Sequence, residues 1–247
     1  MPSVLMLCPG LMCDAVVWAP QVQALSATRT CVVVDYGLRD SLADMARHVL
    51  ATAPAERFAV AGHSMGGRVA LEVMRIAPDR VSHLALLDTG IHPLAVGTPG
   101  ATEKAGRLGL VALAREQGMR TMAQQWLANM VHPTVRGTPL FVAIIDMLVR
   151  SNADQLAAQT QALLARPDAA PVLPIIRCPT LLLTGEQDLW SPPEQHAAIA
   201  RKVADAVLHV VPRCGHMSTL EQPDAVTAAL VTWLQREGTT AHKADSV

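Results

Sequence analysis

Six short runs of apolar and β-branched residues recur along this chain: Val4–Leu7, Cys31–Val34, Phe58–Ala61, Leu84–Leu87, Thr180–Leu183 and Val207–Val211. They are nearly continuous in apolar residues, with no in/out alternation, so each reads as a strand covered on both faces, as in a parallel sheet. Parallel neighbours cannot be joined by a tight turn and need a crossover, usually a helix. The intervening segments supply it. Residues 41–51 place Leu42, Met45, Ala46, Val49 and Leu50 on one helical stripe, and residues 65–77 place Val69, Ala70, Val73, Met74 and Ala77 on another, closed by Pro78. The pattern predicts a doubly wound, right-handed, mostly parallel α/β sheet of about six strands.

The alternation fails once. From His92 to Ile176 there is helical periodicity but no strand, with interruptions at Gly97–Gly100, His132–Pro133, Gly137–Pro139 and Arg166–Pro174. A structureless loop of that length does not fit a compact domain. The expectation is therefore an α/β core made of residues 1–91 and 177–247, carrying a helical cap at 92–176. The last helix is expected from Pro223 to Glu237, stopped at Gly238 and followed by a frayed polar stretch, 239–247.

Charge and composition exclude several functions. Twenty basic residues against 21 acidic ones leave a formal charge of −1, with no electrostatic footprint for nucleic acid or an anionic membrane. Four Trp, two Phe and one Tyr offer little for base stacking. No apolar run reaches the roughly 18 residues of a membrane span. The N-terminal stretch has no basic region before its apolar residues and reads as structure, not a signal peptide. Five scattered Cys without a CxxC pair or a Cys/His cluster suggest reduced thiols in a cytoplasmic protein and no metal.

The chemistry concentrates at residues 58–67, FAVAGHSMGG. Gly62-His63-Ser64-Met65-Gly66 is a G-x-S-x-G turn between a strand and an amphipathic helix, the context in which that motif carries a nucleophile. Glycines remove the Cβ atoms that would collide in so sharp a turn, and the helix that follows aims its first N–H groups at developing negative charge. A serine hydroxyl needs a base, and the base needs an orienting group. The fifth run leads to Thr184-Gly185-Glu186-Gln187-Asp188 and the sixth to Pro212-Arg213-Cys214-Gly215-His216, so Asp188 and His216 fall in loops beyond successive strand ends. Ser64 is the expected nucleophile, His216 the general base and then acid, and Asp188 the residue that fixes the imidazole tautomer. Asp88, after the fourth run, and Glu186 compete for the acid's role. His63 is expected to pack or hydrogen-bond within the turn.

GHSMGG, TGEQDLWSPPE, CGHMSTLEQP and the N-terminal PGLMCDAVVW, in that order and each after its own strand, resemble the α/β-hydrolase superfamily over nearly the whole chain. The resemblance implies a Ser-His-Asp hydrolase that needs no cofactor. It also implies an oxyanion hole formed by the backbone N–H groups of Leu11 and Met65. Relatives often open with an antiparallel hairpin, for which the residues before Val4 leave no room, so a trimmed sheet is expected.

The cap residues Met119, Trp126, Met130 and His132 are the candidates for contacting substrate, in a pocket expected to be apolar and adaptable. No cluster of cap Arg or Lys stands out to clamp a phosphate or a large anion; Arg68, in the first turn after Ser64, has two readings, contact with a substrate carboxylate and, preferred, a helix-surface ion pair. The functional expectation is hydrolysis of a carboxylic ester of a small or medium apolar molecule through an acyl-enzyme, by a monomer or homodimer. Two alternatives stand beside it. One uses the same triad on a C–C bond, lactone or thioester, or in an elimination. The other is a slow-turnover binding or receptor protein on the same fold.

Overall fold

The computed structural model describes residues 2–237. The expected stop at Gly238 and the polar stretch 239–247 lie outside the described residues. The chain runs β1 (Val4–Cys8), α1 (Ala19–Leu25), β2 (Thr30–Val33), α2 (Leu42–Thr52), β3 (Phe58–His63), α3 (Met65–Ile76) and β4 (Val81–Leu87). Four helices follow, α4 (Thr98–Gln117), α5 (Met119–Leu127), α6 (Pro139–Leu148) and α7 (Ala153–Leu164). The chain then returns through β5 (Thr180–Gly185), α8 (Pro193–Ala200), β6 (Ala206–Val211), a short α9 (Ser218–Glu221) and α10 (Pro223–Leu234).

The six strands form one parallel sheet in the order β2-β1-β3-β4-β5-β6. The α1 crossover steps outward from β1 to β2, while those through α2, α3 and α8 step the other way. Right-handed connections therefore put α1 on one face and the others on the opposite face. The packing agrees: α1 lies against α10, and α2 against α3. The predicted stripe residues Leu42, Met45, Ala46 and Val49 on α2, and Val69, Ala70, Val73 and Met74 on α3, are all buried, although Leu50 is only partly covered.

The strand expectation needs one correction. β1, β3 and β5 are buried throughout and β4 nearly so, but β2 is half-buried and β6 leaves Val207 and Val210 exposed. β2 and β6 are the sheet edges, with fewer helices to cover them. The helical segment is also punctuated differently from its sequence reading. Thr98-Pro99-Gly100 opens α4 instead of interrupting it, and the break between α4 and α5 falls at Gly118, whose φ of 86° suits glycine. α10 ends at Leu234, three residues before the expected Glu237.

All strands point the same way, so the loops leaving β1, β3, β4, β5 and β6 meet at one edge of the sheet. Cys8 pairs with Gly62, His63 with Leu87, and Gly185 with Val211. That register brings loops far apart in sequence to one place.

Candidate active site

Ser64 sits between β3 and α3 at φ 54°, ψ −116°, a left-handed-side backbone that L residues rarely adopt. The neighbouring glycines make this conformation possible. A Cβ on Gly62 would lie 2.2 Å from the Gly66 carbonyl oxygen, and one on Gly66 would lie 2.0 Å from the Cys8 carbonyl oxygen. The strained turn is held by hydrogen bonds. The Ser64 N–H donates to the Leu87 carbonyl at 2.9 Å, and the Thr89 hydroxyl donates to the Ser64 carbonyl at 2.7 Å.

The loops after β5 and β6 bring two further groups to this serine. His216 Nε2 lies 2.8 Å from Ser64 Oγ, and His216 Nδ1 lies 2.8 Å from Asp188 Oδ2. Asp188 Oδ1 accepts the N–H groups of Trp190 at 2.8 Å and Ser191 at 3.0 Å. With Asp188 ionised, the network assigns the proton to Nδ1 and leaves Nε2 as the acceptor for the serine hydroxyl. Burial alone would raise the Asp188 carboxyl, but the His216 charge, its hydrogen bond and the two backbone donors outweigh it and hold Asp188 below its ordinary value. Burial likewise opposes protonation of His216, and the Asp188 charge and hydrogen bond outweigh it and raise His216 above its ordinary value.

Of the competing acids, Glu186 is exposed. Asp88 is fully buried with its Oδ1 on the Gly185 N–H and its Oδ2 on the Ser218 hydroxyl, away from the His216 ring nitrogens. Burial, reinforced by the Asp188 charge, pushes Asp88 well above the ordinary carboxylate range. His63 is 3.6 Å from Asp88, but burial pulls its own value down to about 4. His63 is therefore uncharged at neutral pH and the contact is not an ion pair. His63 Nε2–H donates instead to the His216 carbonyl at 2.8 Å, fixing the backbone of that histidine.

The β1 loop passes close over the serine: a Cβ on Gly10 would stand 3.2 Å from Ser64 Cβ. Leu11 and Met65 line the same cavity, and neither N–H donates to a protein acceptor among the described residues. The cavity is about 570 Å³, within the usual range for small-molecule sites.

Residues 5–229 match the sequence profile of the Alpha/beta hydrolase family. The chain belongs to that family. One relative is the 2-hydroxy-6-oxononadienedioate/2-hydroxy-6-oxononatrienedioate hydrolase of Klebsiella pneumoniae, 27% identical over 83% of this chain and 72% of its own length. Among solved structures, a thermophilic esterase from Thermogutta terrifontis superposes with a TM-score of 0.80 at 28% identity, covering 94% of this chain and 89% of its own. The enol-lactonase from Burkholderia xenovorans LB400 does so with a TM-score of 0.80 at 25% identity, covering 96% and 92%. These likenesses identify a hydrolase. Among the described residues of this alpha/beta hydrolase, no helix is long and apolar enough to cross a membrane. Within the same residues no group of three or more potential metal ligands occurs.

Of the four candidate substrate contacts in this alpha/beta hydrolase, Trp126 and Met130 line the cavity, and Trp126 meets Trp190 edge-on at 6.2 Å. Met119 and His132 are corrections to the sequence reading, for they lie outside the lining. Met119 starts α5 and packs against the core. His132 turns its ring to the Thr134 hydroxyl, 2.7 Å from Nδ1, because it caps the short turn that follows. The expectation of an apolar pocket with no cluster of cap arginines is also overturned. Arg68, Arg107 and Arg166, with Glu103, lie on the cavity wall beside the apolar Leu110 and Leu163. Helix α4 brings Glu103 and Arg107 over the first turn of α3, a juxtaposition invisible to a reading of each residue alone.

Two supports were missed. Glu221 on α9 accepts the N–H groups of His132 (2.7 Å), Gly215 (3.1 Å) and Met217 (3.0 Å), and the His216 N–H donates to the Met130 carbonyl at 2.6 Å. The histidine loop is thereby tied to the helical insertion. Gln159 on α7 accepts the Met12 N–H at 2.8 Å, holding the β1 loop beside Leu11. The signal for Glu221 was present in the LEQP stretch, where an acid five residues after His216 has no other evident role.

Proposed function

We propose that this alpha/beta hydrolase cleaves carboxylic esters of small or medium substrates through an acyl-enzyme, with residues 92–176 acting as a cap over the site. The observation that carries the reading is the continuous line from Asp188 through His216 to Ser64, with 2.8 Å at each step. Ser64 Oγ attacks the carbonyl carbon as His216 Nε2 takes its proton. The oxyanion that forms is received by the free N–H groups of Leu11 and Met65, which are positioned before the reaction and so cost no reorganisation. Protonated His216 then gives its proton to the leaving alcohol. In the second half it takes a proton from water, which attacks the acyl-enzyme and returns Ser64. Trp126, Trp190 and Met130 would take the apolar part of the substrate.

A second reading is supported by the similarity to the Klebsiella hydrolase of an oxo-dienedioate: the same triad acting on a C–C bond of a vinylogous diketone. Lactones are a third substrate class, in keeping with the structural likeness to an enol-lactonase. The test is one panel of 4-nitrophenyl esters, lactones, thioesters and vinylogous diketones, run with wild type and Ser64→Ala. Turnover of esters by wild type, and its loss in Ser64→Ala, is the expected result. Ester turnover by Ser64→Ala above trace would refute the nucleophile, and turnover of diketones alone would move the assignment to C–C hydrolysis.

A further inference from the structure

The cavity that holds Ser64 also holds more positive charge than its own side chains neutralise. Arg166 is saturated: its Nε donates to the His92 carbonyl, Nη1 to Glu103 Oε1 and the Leu163 carbonyl, and Nη2 to Glu103 Oε2 and the Pro93 carbonyl. Arg107 spends only its Nε, on Glu103 Oε1 at 2.8 Å. Arg68 spends one Nη1 N–H, on the His92 carbonyl at 3.0 Å. The terminal nitrogens of Arg107 and the Nε and Nη2 of Arg68 have no acceptor among the described residues. Two guanidinium forks therefore remain open on the cavity wall.

Their charges are poorly offset. Three guanidinium groups face Glu103, while the other carboxyl on the wall, Asp88, turns its oxygens to the Gly185 N–H and the Ser218 hydroxyl and takes no bond from an arginine. The Arg107 side chain is only 17% exposed and that of Arg166 only 6%. Burial, followed by repulsion from Arg166 and Arg107, pulls Arg68 down to about 9. Like charges held together away from water are costly unless an anion completes the set. Arg68 stands four residues after Ser64 on α3, about one helical turn or ~6 Å along the axis, so an anion there is within a small molecule's length of the nucleophile.

We propose that Arg68 and Arg107 form a subsite for a carboxylate carried by the substrate at a distance from its scissile carbonyl, so that the preferred substrate of this alpha/beta hydrolase is an anion. The inference rests on the reading of Ser64 as nucleophile only in that both concern one cavity. A carboxylate is the group assigned because the cluster already receives one: Glu103 takes two parallel N–H bonds from Arg166, each 2.8 Å. Planar guanidinium forks suit that geometry, and a lysine would not reproduce it. Arg166 and Glu103 set the frame, while Arg68 and Arg107 keep the open donors.

The test compares two isosteric substrates, the 4-nitrophenyl monoester of adipic acid and 4-nitrophenyl hexanoate, with the Ser64→Ala rate subtracted. Wild type should favour the charged ester in kcat/KM by about tenfold or more, and added salt should erode the preference. Arg68→Gln and Arg107→Gln should each lower that ratio by about tenfold, chiefly through KM of the charged ester, and Arg68→Lys should restore only part of it. Calorimetric titration of adipate into Ser64→Ala, without turnover, should give one site, weakened about tenfold when Arg68→Gln is added. Should Arg68→Gln fail to fold, Arg107→Gln on the helical insertion carries both arms. A wild-type ratio near one, a ratio unmoved by both substitutions, or no adipate binding at millimolar concentration would overturn the proposal. Tighter binding of inorganic phosphate than of adipate would overturn the carboxylate assignment. If wild type hydrolyses neither ester, the ester reading fails and the adipate titration alone decides the subsite.

Discussion

Asn in place of Asp188 should disable the enzyme, whereas Asn in place of Asp88 should not, and the hydrogen bonds give the reason. Asp188 Oδ1 already accepts two backbone N–H groups, from Trp190 and Ser191 at 2.8 and 3.0 Å. An Asn at 188 must keep its carbonyl oxygen there, because an NH2 group cannot face two donors. Its NH2 then points at His216 Nδ1, now 2.8 Å from Oδ2. That forces the proton of His216 onto Nε2, where it blocks acceptance of the Ser64 proton. A wrong tautomer in a Ser-His-Asp triad costs about 10⁴-fold in kcat, or roughly 5.5 kcal/mol. Asp88 differs because its oxygens bond the Gly185 N–H and the Ser218 hydroxyl instead of the His216 ring, and burial with the Asp188 charge raises it toward its neutral form. Asn there can accept from the Gly185 N–H with its oxygen and donate to the Ser218 hydroxyl with its nitrogen, keeping both contacts without a buried charge. The loss should stay below about tenfold. Steady-state kcat on a 4-nitrophenyl ester, with Ser64→Ala as the floor, measures both. Asp188→Asn within tenfold of wild type, or Asp88→Asn as inactive as Asp188→Asn, would refute the reasoning.

Two further outcomes are expected. The acid limb of kcat/KM should have its midpoint above 6.5. His216 must be neutral to act as base, and the Asp188 charge and hydrogen bond raise it against the effect of burial; a midpoint well below 6.5 in a pH-rate profile would contradict this. Gly66→Ala should destabilise the fold by about 3 kcal/mol, a Tm loss of roughly 6–12 °C by calorimetry, because its Cβ would lie 2.0 Å from the Cys8 carbonyl oxygen and backbone cannot swing aside as a side chain can. An unchanged Tm would show that β1 yields freely.

The sheet was legible in the sequence because each inner strand carries a nearly continuous apolar run, and its topology followed from the helical stripes between them. The edge strand β6 misled for the same reason: Val207 and Val210 are apolar yet exposed, and a run of valines does not say whether a further layer covers it. Ser64, Asp188 and His216 were readable as neighbours because each closes a strand, and a parallel sheet delivers every such loop to one edge. The basic wall was not readable. Arg68, Arg107 and Arg166 come from α3, α4 and the segment after α7, and only the packing of the insertion on the core brings them together. Met119 failed for the complementary reason, since a helical pattern identifies a face turned to the core but not which residue on it borders a cavity, and His132 failed because its ring caps the turn that follows.

The most direct test of the account is the reaction of the intact protein with a fluorophosphonate, followed by intact mass and peptide mapping. The account predicts one adduct per chain, on Ser64, formed much more slowly in His216→Ala and absent in Ser64→Ala. An adduct elsewhere, or labelling of Ser64 as fast without His216 as with it, would contradict the claim that this histidine activates this serine.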